Sequence, residues 1–272
     1  MSPRPLLAEF RFLFAAAALL ALGAAFMTFV LTTRTADYFA WPIQPPLSAA
    51  FLGASYCAAV AGLSAASRAR YWADGRLAVP PVMTISVLLL AATLMHLDRF
   101  DKGHPVFWFW LAAYVLVPPL LVVLVRRQLR LPGGEPPSRA PIPAVARAGL
   151  TAHAGLLLGF GSLLFVLPGV AEDIWPWTLT PLTSQALGSF LLGFAAALVF
   201  VLRDDEVTRL AAPGVAYAVL GLAQLIAVAR YTDDVDFGDP GSWIYVGFFA
   251  TVLVGGVALA AASRSATPRR DA

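Results

Sequence analysis

Two acidic turns hold the residues of this chain best suited to chemistry. HLDRFDKGHP contains Asp98 and Asp101, and RYTDDVDFGDP contains Asp233 and Asp236; both follow the pattern D-x-x-D-x-G-x-P. Carboxylates three residues apart, with His96 and His104 beside the first pair and Asp239 beside the second, are the groups that ligate a divalent cation or share acid and base roles. The same residue types also build turns. Gly103 and Gly238 allow backbone conformations other residues disfavour, the prolines that follow fix a helix start, and aspartate is favourable at a helix N-terminus. The copies differ where a metal site would need them alike. His96 aligns with Tyr231 and His104 with Asp239, so a symmetric two-histidine site is not supported, and the spacing is not that of a calcium-binding loop.

Trp41 and Trp177 form a second pair, each followed four residues later by a proline, Pro45 and Pro181. Tryptophan before proline at a membrane surface is either an interfacial anchor at a helix start or part of an aromatic wall around a ligand. Trp108, Trp110, Trp243 and Tyr245, just after the acidic turns, read as anchors. Gln185 and Gln224 lie inside apolar stretches, where a side-chain amide needs a partner, either another helix or a ligand. Together with the acidic turns, these tryptophans and glutamines are the candidate ligand- or cation-binding residues. No carboxylate lies at mid-span, which argues against an ion-coupled pump, and His153 and His96 fall near opposite ends of their spans, which argues against a bis-histidine haem. No nucleotide fingerprint, HExxH or GxSxG is present, and the single cysteine, Cys57, permits no disulfide within one chain. No residue pattern names a cofactor or a metal.

The elements that position these residues follow from composition. The chain has 59% hydrophobic and 13% charged residues and a mean hydropathy of +0.75. A soluble domain carries roughly 25% charged residues. The apolar residues fall in blocks long enough to cross a hydrocarbon core, and no short alternating segments suggest a β-barrel. Eight spanning helices are expected, near 10–33, 46–66, 79–97, 106–125, 148–169, 181–202, 211–229 and 242–262. The first is too long for a signal-peptide core. Gly155 with Gly159, and Ala58 with Gly62, have the small-xxx-small spacing that lets helices approach closely, and Pro118 with Pro119 should kink the fourth span.

The chain also repeats itself. WPIQPPLSAA (Trp41–Ala50) returns as WTLTPLTSQA (Trp177–Ala186), RLAVPPV (Arg76–Val82) as RLAAPGV (Arg209–Val215), and the acidic turn at Asp98 as that at Asp233, all in the same order. The expected fold is therefore an all-α integral membrane protein of eight transmembrane helices in two tandem four-helix repeats, 1–130 and 148–264, joined by a Pro/Gly/Arg-rich linker at 131–147 and ending in a tail at 265–272. An even number of spans per repeat puts both copies in parallel orientation, with a pseudo-twofold axis along the membrane normal.

Arginines set the topology. Arg68, Arg70 and Arg76, linker residues including Arg126, Arg127, Arg130, Arg139 and Arg147, and tail residues including Arg269 and Arg270 mark one face; the acidic turns mark the other. Positive-inside bias makes the arginine-rich face and both termini cytoplasmic. The loop RDDEVTR balances two arginines against three acids and is ambiguous. Near-exclusive use of arginine as the base, with abundant alanine, glycine and proline, suggests a GC-rich bacterial genome and hence a bacterial cytoplasmic membrane. The net charge of +3 is accounted for by topology, and no nucleic-acid partner is expected. Three functions fit: a binding or transport-type protein with an outward-facing site between the repeats; an interfacial enzyme acting on a lipid or lipid-linked substrate through Asp98, Asp101, His96 and Asp233 or Asp236; or a structural or accessory subunit. The expected partners are membrane lipids, a small-molecule or lipid ligand, and a protein at the outer face.

Overall fold

The computed structural model describes residues 2–135 and 140–266. Arg139 of the linker and Arg269 and Arg270 of the tail lie outside the described residues. The described chain is helical, with two isolated β-bridges and no longer strand. Eight helices are long and apolar enough to cross a membrane. Their α-helical parts are α1 (Ala8–Ala25, within a span of Ala8–Val30), α2 (Pro46–Ser67), α3 (Val79–Met95, within a span of Trp72–Met95), α4 (Pro105–Leu129), α5 (Ala144–Val166), α6 (Pro181–Asp204), α7 (Ala211–Arg230) and α8 (Pro240–Ala266). The even-numbered α2, α4, α6 and α8 each begin on a proline, which has no N–H to leave unsatisfied in the first turn and a φ already suited to a helix. The expected spans are recovered at their ends to within a few residues. The third is extended backwards by a short helix (Trp72–Gly75) and a 3₁₀ turn (Arg76–Ala78), and α4 runs unbroken through Pro118 and Pro119.

In packing, α2 lies against α1 and α7, and α6 against α5 and α3; α3 also packs on α4, α7 on α8, and α2 touches α6. The two central helices α2 and α6 are the most buried of the eight. Glycines set the closest crossings. On α6, a Cβ at Gly188 would lie 2.8 Å from the Gly161 carbonyl oxygen of α5, and one at Gly53 of α2 would lie 2.7 Å from the Phe29 Cα beyond α1. On α7, one at Gly221 would lie 2.7 Å from the Phe249 oxygen of α8.

The expected role of Gly155 and Gly159 is corrected: a Cβ at either would meet nothing within 4 Å. The buried stripe of α5 is Ala154, Leu157, Gly161 and Leu164, recurring at three- and four-residue steps. Position 155 is one residue off that stripe, about 100° around the helix, and 159 is two residues off. Gly161 is therefore the α5 glycine that meets α6. Gly62 does approach α7, its Cβ position lying 3.5 Å from the Ala216 Cβ.

Helices α1 and α5 both end in a break. The end of α1 widens into a π-helical turn (Phe26–Val30) that stops at Leu31; α5 stops at Leu167, before Pro168. The break at Pro168 frees carbonyls that α6 satisfies. Pro168 has no N–H to give the Leu164 oxygen, which accepts instead from Ser184 Oγ at 2.9 Å; the Phe165 oxygen accepts from Gln185 Nε2 at 3.1 Å. On the arginine-rich face, the N-terminal segment is tied to the α2–α3 connection and to the first linker residues. Leu6 N donates to the Arg70 oxygen and Arg4 N to the Gly134 oxygen. Gln128, fully buried, accepts from Leu7 N at 2.9 Å and donates to the Pro5 oxygen at 2.8 Å. The far end of the linker is held too, with Ile142 N donating to Asp205 Oδ1 at 2.9 Å. A sequence rich in proline and arginine, expected to be a polar connector, is anchored at both described ends.

Candidate functional site

The acidic turns are local structures. Asp101 Oδ1 accepts from Gly103 N at 2.9 Å, Asp236 Oδ1 from Gly238 N at 2.8 Å, and Asp239 Oδ1 from Gly241 N at 2.9 Å. His104 caps α4, its Nδ1 accepting from Val106 N at 3.3 Å. Asp98 pairs with its exposed neighbour Arg99 at 3.3 Å, and Asp233 is exposed. Among the described residues no group of three His, Cys, Asp or Glu side chains is arranged to hold a metal. His96 leaves the turn altogether, and its Nε2 meets Gln185 Oε1 at 2.9 Å. Gln185 thus joins the end of α3 to the break in α5. Gln224, fully buried on α7, donates to the Phe51 oxygen of α2 at 3.1 Å and accepts from Tyr245 Oη of α8 at 2.9 Å. Both glutamines tie helices together.

Asp234, between the two acids of the second pair, acts across the fold. Its Oδ2 accepts from Leu47 N at 3.2 Å, at the start of α2. The residue before α2 is Pro45, which has no side-chain acceptor, whereas α6 is capped by its own Thr180. Replacing Asp234 with alanine should therefore lower the unfolding free energy by about 1 kcal/mol, while Asp233→Ala, which leaves α2 capped, should change it by less than about 0.5 kcal/mol. Thermal unfolding of the two variants in detergent checks the difference.

The tryptophans are corrected in position. Trp41 and Trp177 are buried, not interfacial, and so are Trp110 and Tyr245; Trp108 and Trp243 are the exposed pair, at 57% and 60%. The buried rings form two clusters. In one, Trp41 lies 4.9 Å from Phe39 and 5.1 Å from Trp110, which lies 4.5 Å from Tyr114. In the other, Trp177 lies 5.2 Å from Trp175 and 5.3 Å from Tyr245, which lies 4.7 Å from Phe249. Trp177 Nε1 donates to Ser48 Oγ at 2.8 Å; Trp41 Nε1 has no partner among the described residues. Between the central helices, the half of the bundle toward the aspartate-rich face is occupied by these rings and by the glutamine bonds.

The other half is not filled. A cavity of about 290 Å³ lies between α2, α3, α6 and α7. Its walls are mostly small and apolar, among them Ala58 and Gly62 of α2, Pro81 of α3, Ala197 of α6 and Ala216 of α7; Tyr217 lies deeper. Arg68, Asp74 and Arg209 also line it, and Arg68 and Asp74 are exposed, marking its mouth on the arginine-rich face. Neither Gln185 nor Gln224 reaches it.

Beside the mouth is a charge cluster the sequence reading passed over. Asp204, at the end of α6, is 3% exposed in its side chain and is paired with both Arg76 and Arg209, the latter at 3.0 Å. Arg76 also pairs with Glu135, and Arg209 Nε lies 3.9 Å from Asp74 Oδ1. The signal was present: Arg76 and Arg209 are the matched first residues of the two RLA blocks, and Asp204 opens the acidic run in RDDEVTR. The ambiguous loop is the counter-ion of both. A second, mostly apolar cleft of about 340 Å³ lies between α5 and α8 toward the aspartate-rich face, near Trp175, Gly241 and Phe248, and His153 bridges these helices and α7 below it, Nδ1 to Tyr217 Oη at 2.8 Å and Nε2 to Thr251 Oγ1 at 3.1 Å. Comparison with protein-family models, with curated proteins and with solved structures found no match to this chain.

Proposed function

We propose that the chain is a binding or transport-type protein of the bacterial cytoplasmic membrane, built from two parallel four-helix copies, with its ligand site in the cavity between them. The cavity carries this reading: it is walled by two helices from each copy, α2 and α3 from the first and α6 and α7 from the second. The duplication is supported by packing as well as sequence. Adding four to each helix number turns the pairs α1–α2, α3–α4 and α2–α7 into α5–α6, α7–α8 and α6–α3, all of which are close-packed. Matched residues also make matched contacts: Trp108 Nε1 donates to the Lys102 oxygen at 2.9 Å and Trp243 Nε1 to the Phe237 oxygen at 3.1 Å.

The site differs in place from the outward-facing one expected from sequence. With the arginine-rich face cytoplasmic, the cavity opens inward, and the aromatic clusters close the outward half. A carrier in this state alternates with one in which the inner mouth closes and the outer half parts. The interfacial enzyme gains no support from carboxylates that are exposed and bonded within their own turns. Spin labels at Asp98→Cys and Asp233→Cys in a Cys57→Ser background test the transport part by pulsed distance measurement. Two distance populations, one of them depleted when Ala65→Trp fills the cavity, are expected. A single population unchanged by Ala65→Trp would overturn alternation.

A further inference from the structure

We infer that the ligand of this cavity is a single-chain amphiphile with an anionic head, carboxylate or phosphate, held by Arg68 at the mouth. The inference rests on the reading of the cavity as the ligand site. Apart from Tyr217 and the charged residues Arg68, Asp74 and Arg209, the cavity is lined by apolar residues, so the part of a ligand that fills it must be apolar too. The volume of about 290 Å³ is at the small end of ligand pockets, which suits one chain and not a double-chain lipid.

The charges at the mouth choose the head. Of the three charged residues lining it, Arg209 is held by Asp204 at 3.0 Å, and Asp74 lies 3.9 Å from Arg209. Arg68 has no carboxylate ion-paired with it among the described residues. Its Nη1 donates to the Ser64 oxygen of its own helix at 2.8 Å, and the rest of its guanidinium fork is at the exposed rim. The reason lies in the duplication. At the spacing that relates Trp41 to Trp177, Arg68 corresponds to Asp204. One copy places a carboxylate at the end of its central helix, where it gathers both RLA arginines. The other copy places an arginine there, and no carboxylate is ion-paired with it among the described residues, which sets one guanidinium at the rim of an apolar chamber. A guanidinium suits a planar carboxylate or a phosphate, since its donors are fixed in a fork and it is always charged.

The test is equilibrium binding of radiolabelled decanoate, decyl phosphate and decanol to the full chain in phosphatidylcholine nanodiscs, with empty discs subtracted. Arg68→Gln should weaken decanoate and decyl phosphate about ten-fold or more and leave decanol unchanged, while Arg68→Lys should recover most of the loss. Ala65→Trp and Ala197→Trp, which fill the chamber from α2 and α6, should each abolish binding of all three. Lysophosphatidylglycerol, which has a single chain, should displace the anions from the wild type if the natural head belongs to a membrane lipid, and leave them bound if the ligand is a free amphiphile. Undiminished anion binding in Arg68→Gln, with loss of all probes in the tryptophan variants, would overturn the anionic head but keep the cavity as the site. Undiminished binding in folded Ala65→Trp and Ala197→Trp would overturn both.

Discussion

Asp204→Ala should destabilise the protein by about 3–5 kcal/mol, among the largest losses from any single side chain. The carboxylate is almost fully buried and is shared by two guanidinium groups, Arg76 and Arg209. Removing it leaves two cations close together with only Asp74 and Glu135, both about half exposed in their side chains, as remaining partners. Arg76→Gln should cost less, because Asp204 keeps Arg209. The ordering, with Asp204→Ala well below Arg76→Gln in thermal stability and Asp204→Glu between Asp204→Ala and wild type, can be read from unfolding in detergent. Equal effects of the two would mean that Asp204 serves only one arginine. Because Arg76 precedes α3 and Arg209 precedes α7, the same carboxylate holds the cavity-lining helices of both halves against α6.

The second large effect is at the α7–α8 crossing. A Cβ on Gly256 would fall on the backbone nitrogen of Ala218 and lie 2.7 Å from the Gly214 oxygen; both are backbone atoms, which cannot rotate away. Gly256→Val should therefore force the helices apart and cost about 3 kcal/mol or more, whereas Gly155→Val, with nothing within 4 Å of its Cβ, should stay within about 0.5 kcal/mol of wild type. Comparing the two in one unfolding series separates helix contact from helix propensity, since both replace a mid-helix glycine by the same residue. Similar losses at the two sites would contradict the packing described for α7 and α8.

Depth in the bundle was legible in the sequence; rotation about each helix was not. Span ends followed from apolar length and from Pro105, Pro181 and Pro240, because proline at a helix start is a local backbone effect; Pro45, read as the matching start of α2, stands one residue before it, and the helix begins at Pro46. The turns at Asp101 and Asp236 were legible for the same reason. Which face of α5 meets α6 was hidden, because lipid and protein core are both apolar and the helix carries no polar stripe to tell them apart. Gly155 and Gly159 had the right spacing on the wrong side. Trp41 and Trp177 read as surface anchors because tryptophan is amphipathic; what buries them is their partners Phe39, Trp110, Trp175 and Tyr245, brought together only by folding. Gln185 was legible as a residue needing partners, but the partner, a carbonyl freed by Pro168, depends on where α5 breaks. The cavity was expected near the acidic turns because the repeated motifs cluster there. Those two motifs build the closed half; the open half is lined largely by alanine, glycine and proline together with the third repeated block, Leu77, Ala78, Pro81 and Val82 in one copy and Arg209, Leu210, Ala212 and Pro213 in the other.

The central claim, a chamber between the two halves that opens on the arginine-rich face, is tested most directly by cysteine access. Ala216→Cys and Ala65→Cys line the chamber, and Ala186→Cys is buried in the closed half. In a Cys57→Ser background, in vesicles of known orientation, a membrane-impermeant maleimide should label Ala216→Cys and Ala65→Cys from the arginine-rich side and leave Ala186→Cys unlabelled from either side. An Ala216→Cys thiol that stays unreactive in the folded protein, or that reacts only from the aspartate-rich side, would contradict it.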